Sequence, residues 1–162
     1  MRLLVYPDPG LRLVAAPVES FGTALDPLVE GIVAIMREAG AIGLTAAHCG
    51  VPLRLVIVRP PGGATSVYAN PVVAFASPEM EEHEEGSVSM PGVRASVARA
   101  ARIRVAYQNR DGGRREEDLA GFDAAVMLHE IDQLDGVFWL DRLSRLKRDR
   151  LVKRFAKMRE RE

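Results

Sequence analysis

An α+β fold is what this sequence predicts, and three observations predict it. Some segments carry apolar residues at helical spacing, others carry β-branched runs or two-residue alternation, and no repeat, low-complexity tract or long linker separates them. With 162 residues, 48% of them hydrophobic and 27% charged, the chain is long enough for one core and too short for two comfortable domains. A single domain over residues 1–162 is therefore expected.

The elements follow in chain order. Asp26-Pro27 opens a segment in which Leu28, Ile32, Ile35, Met36 and Ala39 share a helical face, with Asp26 as N-cap and Gly40 as stop. The apolar run over 53–58, closed by Pro60-Pro61-Gly62-Gly63, predicts a buried strand, and 72–76 predicts another. Ile103, Val105 and Tyr107 alternate with Arg104 and Ala106 before Asp111-Gly112-Gly113, so residues 114–119 are expected to return as the second arm of a hairpin. A helix is expected over 122–134, stopped at Gly136, with His129 and Glu130 inside it. Beyond Asp141, ten arginines and lysines surround Leu146, Leu151, Val152, Phe155 and Met158, which predicts a basic amphipathic C-terminal helix over about 144–160.

Charge and cysteine usage narrow the function classes. The formal net charge is zero, so nothing global points to capture of DNA or a membrane surface, and any polyanionic partner must meet a local patch. The N-terminal apolar run ends at Pro7, short of a signal-peptide core, and a cytoplasmic location is expected. A single cysteine, Cys49, excludes an internal disulfide and a tetrathiolate metal site, and a small buried thiol is its expected role. Residues 79–85 hold five glutamates around His83 and read as a solvated acidic loop.

Residues four apart share a helix face, which is how His-Glu-x-x-His puts two imidazoles on one metal and leaves the Glu to activate bound water. Here the segment is His129-Glu130-Ile131-Asp132-Gln133, with an amide in the second imidazole position. Two further segments precede it: Gly43-Leu44-Thr45-Ala46-Ala47-His48 and Glu85-Gly86-Ser87-Val88-Ser89. In that order the three resemble the signature motifs of peptide deformylases. Tyr6-Pro7-Asp8, Asn70-Pro71, Met90-Pro91, Asn109-Arg110-Asp111-Gly112 and Asp141-Arg142-Leu143 extend the resemblance over nearly the whole chain.

The resemblance implies a peptide deformylase-like fold, with antiparallel sheets around the central His-Glu helix and a helix at the C-terminus. It implies a hydrolase that removes the formyl group from N-terminal formyl-methionine of nascent peptides, using iron or another divalent metal held by a Cys and two His. Position by position, Ser87 stands for the Cys ligand, His129 for the first His and Gln133 for the second. Glu130 matches the acid/base residue, Val88 supplies the backbone N–H after the ligand position, and His48 stands where an oxyanion-stabilising Gln belongs. Ile42, Gly43, Gly86 and Arg94 match the peptide cleft, and Phe122, Ala125, Val126 and His83 match the lining of the methionine pocket.

A Ser hydroxyl stays protonated near neutral pH and a Gln carbonyl is a weak donor, whereas thiolate and imidazole are good ligands. The expectation is therefore a deformylase-like protein with lost or strongly reduced activity and no cofactor, or, if any, a divalent iron or zinc. The alternative is an active deformylase or amide hydrolase whose metal site is rebuilt from His48, His129 and a carboxylate such as Glu130 or Glu85. Ser87 as a nucleophile served by His129 lacks a recognisable third partner or elbow motif. Nascent N-formylated peptides are the expected partners, and the basic C-terminal helix fits ribosomal RNA, which the similar helix of bacterial deformylases contacts.

Overall fold

Glycines and prolines set most element limits in the computed structural model, which describes residues 1–161; Glu162, the last residue of the expected domain, lies outside. Helix α1 spans Asp26–Ala39 and ends on Gly40 in the left-handed conformation. Asp26 is its first residue, not its cap: Leu25 occupies the N-cap position, and the Asp26 carboxylate instead receives the Arg110 guanidinium. The buried face is Val29, Ile32 and Met36, a slight rotation from the predicted stripe that leaves Ala39 at the surface.

Five antiparallel strands form the main sheet in the order β1-β2-β3-β6-β7: Gly43–Thr45, Leu55–Val58, Ser66–Ala76, Arg102–Gln108 and Arg114–Ala120. The strand expected over 53–58 begins at Leu55, because Leu53 instead bridges to Ala16. The strand expected over 72–76 starts six residues earlier, at Ser66. It is interrupted at Asn70-Pro71, where Asn70 adopts φ +51° and the pairing with β6 slips. The predicted β6–β7 hairpin is present, with Gln108 opposite Arg114.

Residues 79–85 are not a loop. All but Glu79 belong to β4 (Met80–Ser87), which pairs with β5 (Met90–Ala100) in a separate two-stranded sheet. The glutamates conceal the strand because Glu81, Glu82 and Glu84 are solvated while Glu85 is buried against Arg99.

Helix α2 (Gly121–Leu134) touches both sheets and is buried over most of its circumference. Met127, Ile131 and Leu134 pack on Val56, Tyr68 and Val105 of the main sheet. Gly136 follows at φ +74°, where a Cβ would stand 2.6 Å from the Arg12 carbonyl oxygen, so glycine is required to turn the chain away. Helix α3 (Arg145–Arg159) is capped by the Ser144 hydroxyl, which accepts from Lys147 N–H. Its single buried side chain, Phe155, joins a cluster with Val93 and Val97 of β5 and with Phe138 and Trp139.

Candidate functional site

The edge of β1, the β4–β5 hairpin and α2 enclose a cleft of about 550 Å³. Both flanking strands have a free edge there, since among the described residues β1 pairs only with β2 and β4 only with β5. Ile42, Gly43, Gly86, Ser87, Val88 and Arg94 line it from the strands and their approaches. Phe122, Ala125, Val126, His129, Glu130 and Gln133 line it from α2, and His83 stands on its rim. Helical spacing accounts for the second group, because positions 122, 125, 126, 129, 130 and 133 fall on one face.

His48 is not among the lining residues. It is buried in the short 3-10 turn Ala47–Cys49, with Nδ1 3.1 Å from the Ser89 hydroxyl and its ring against Phe138. Its Nε2 is enclosed without a partner, and burial pushes its pKa down to about 3. Cys49, fully buried beside it, has its thiol pushed up to about 12 by the same cause. The neighbours do not form a reactive Cys-His pair.

His129 is engaged on both ring nitrogens. Nδ1 lies 2.7 Å from Glu85 Oε1, and Nε2 lies 2.8 Å from the Gln133 amide nitrogen. An amide nitrogen only donates, so Nε2 accepts from Gln133 and Nδ1–H donates to Glu85. Thr45 Oγ1 in turn donates to Gln133 Oε1 at 3.4 Å and accepts from His48 N–H, which ties β1 to the helix.

Behind His129 runs a ladder of charges. Arg99 of β5 donates two hydrogen bonds of 2.8 Å to Glu85 and one of 2.6 Å to Asp132, and Asp132 also receives Arg142 at 2.6 and 2.9 Å. Burial alone would raise the Glu85 pKa, but the hydrogen bonds from Arg99 and His129 and the charge of Arg99 prevail and hold it down at about 2. Arg99, 4% exposed, is the site residue that sequence reasoning missed.

Glu130 has the opposite surroundings. No ion pair is made to it among the described residues, its Oε2 is buried without a partner, and burial pushes its pKa up to about 7. Gly43 faces it so closely that a Cβ there would stand 2.8 Å from Oε1.

Ser87 Oγ accepts from Ser89 N–H at 3.1 Å, and the Arg94 guanidinium donates to the Glu84 carbonyl. Among the described residues no three His, Cys, Asp or Glu side chains converge as they would around a metal ion. The rebuilt set of His48, His129 and a carboxylate is not assembled: His48 faces Ser89, and Glu85 is held by Arg99.

A helix that presents His-Glu to a cleft flanked by strand edges is the scaffold on which such pairs serve metal-dependent hydrolases. The polypeptide deformylase family model matches residues 1–149. A peptide deformylase-like protein of Bradyrhizobium diazoefficiens is 51% identical over 158 residues, covering 96% of this chain and 92% of the relative. One from Brucella melitensis is 48% identical, covering 98% of each. The crystal structure of a peptide deformylase from Legionella pneumophila superposes with TM-score 0.92 at 34% identity, covering 98% of this chain and 95% of that one. The chain belongs to the polypeptide deformylase family.

Proposed function

We infer that this protein keeps the peptide cleft of its family and has lost, or retains only weakly, the hydrolysis of N-formyl peptides. One observation carries the reading: the Gln133 amide occupies His129 Nε2 at 2.8 Å while Glu85 occupies Nδ1. The imidazole left in the motif thus has no lone pair to offer, and the residues present do not fit a resident divalent ion. Ser87 adds a protonated hydroxyl and Gln133 a weak carbonyl donor, neither of which replaces a thiolate or imidazole. Altering even an outer-shell partner costs roughly 10–100-fold in metal affinity or activity, and two ligand positions are altered here. Glu130 then serves as a buried acceptor at the wall of the cleft.

The test is one preparation of the full chain, loaded anaerobically with ferrous iron, cobalt, nickel or zinc, analysed for bound metal and assayed on formyl-methionyl peptides. Substoichiometric metal and no turnover are expected. Stoichiometric metal with turnover abolished in Glu130→Gln would overturn the reading.

The natural partners under this reading are peptide N-termini and the ribosomal surface, met in the cytoplasm. Support comes from the basic residues of α3 and from the lack, among the described residues, of a helix long and apolar enough to cross a membrane.

A further inference from the structure

We propose that the protein associates with a second copy of itself through β7, the outer strand of the main sheet, which pairs antiparallel with the partner's β7 and joins the two sheets into one.

The edge is open and regular. Among the described residues β7 is the last strand in the order β1-β2-β3-β6-β7 and is hydrogen-bonded to β6 alone. The pairing runs from Gln108 opposite Arg114 to Arg102 opposite Ala120 without a register shift, and the strand holds no proline or glycine. A bulge or a proline commonly blunts such an edge, and without them a row of backbone N–H and C=O groups is left for another strand. What remains on the edge is charge, and its order selects the partner.

The strand reads Arg114-Arg115-Glu116-Glu117-Asp118, basic where it begins and acidic further on. A strand of one sign would be repelled by half of it, whereas an antiparallel copy of itself matches it. A two-fold axis at Glu116, perpendicular to the sheet, sets Arg114 against the partner's Asp118 and Arg115 against the partner's Glu117, and symmetry makes each pair twice. The faces agree too. Glu117 accepts from the Tyr68 hydroxyl and Leu119 packs on the core beneath α2, so odd positions face the helix, while Asp118 meets Arg104 on the opposite face. Each residue and its cross-strand mate therefore lie on the same face.

Within one chain these charges are incompletely answered. Arg114 and Glu116 enter no ion pair among the described residues, and Arg115 donates only to the Arg114 carbonyl. Arg114, Arg115, Glu116 and Asp118 are all exposed. The one unfavourable contact is at the centre, where Glu116 meets the partner's Glu116, with Arg114 of each copy two positions away on the same face. The cleft stays accessible in such a dimer, because β1 lies at the far end of the main sheet and β4 in the other sheet.

The test is sedimentation velocity of the full-length protein over a concentration series at low and high salt. A reversible dimer weakened by salt is expected. Arg114→Glu with Arg115→Glu makes the edge wholly acidic and should weaken the dimer by about 10-fold or more, whereas Glu116→Gln removes the central repulsion and should tighten it. Glu117→Lys with Asp118→Lys should likewise abolish self-association, and mixing the two charge-reversed variants should restore a dimer containing one of each. Thermal unfolding run alongside shows that each variant is folded. In the parent protein, amide exchange of β7 should slow as concentration rises, a readout that decides the matter even if the lysine variant does not fold. A monomer at every concentration up to about 1 mM would overturn the proposal. So would a dimer indifferent to the arginine reversal, folded variants that do not pair when mixed, or a dimer whose β7 amides exchange at the monomer's rate.

Discussion

Glu130 and Glu85 are both buried beside His129, yet only Glu85 has an arginine to face, and their responses to pH diverge accordingly. A carboxyl whose pKa rises on folding favours the folded state below its ordinary value of 4.5, and that contribution fades as pH climbs through about 7. Glu130→Gln does not titrate. Between about pH 5 and about pH 8 the variant should therefore gain about 2–3 kcal/mol on the parent in urea unfolding, and a constant gap would refute the assignment. The complementary change is Ser87→Cys with Gln133→His, which restores a thiolate and a second imidazole at positions lining the same cleft. The double variant should hold about one cobalt ion per chain with a thiolate charge-transfer band, and the parent should hold substoichiometric cobalt without that band. At this scale the residues matched to the family's site, His48 excepted, line one cleft, and it was the resemblance in motif order that pointed to them. It did not reveal that His48 lies behind the wall, because one residue's facing in a 3-10 turn follows from packing against Phe138 and Ser89.

The hairpin β4–β5 is held to α2 chiefly through Arg99, whose side chain is 5% exposed. Replacing it by Met leaves Glu85 and Asp132 without their buried cation and should cost about 3–5 kcal/mol in thermal or urea unfolding. Arg104→Met, at an exposed pair with Asp118, should leave the midpoint almost unchanged. This hairpin was the element hardest to read from sequence. Its outer face carries glutamates and its inner face carries a buried carboxylate, so the usual apolar alternation is missing from β4. The signal lay in β5: Val93, Ala95, Val97 and Arg99 alternate on one face, and an arginine in an apolar row calls for a buried acid across from it. Helices α1 and α2 were legible because apolar spacing and glycine stops act locally.

Across the whole molecule, the positive charge of a chain with zero formal net charge is concentrated in α3, which holds seven arginines and lysines between Arg145 and Lys157 and ends on Arg159. Phe155 anchors the helix to the hairpin and leaves most of those side chains in solvent. Co-sedimentation with ribosomes should fall when four or more of them are neutralised, and fall again with added salt. Binding that ignores both changes would argue against a ribosomal role. The two walls of the cleft belong to different sheets, with no backbone ladder from β1 to β4 among the described residues. The N-terminal segment bridges them at one end only, where Leu4 N–H donates to the His48 carbonyl and Tyr6 N–H to the Ser89 carbonyl. Amides of β4 should exchange with solvent sooner than those of β2, and a peptide seated between the two edges should slow them. Exchange at β4 therefore offers a gauge of occupancy that requires no chemistry from the protein at all.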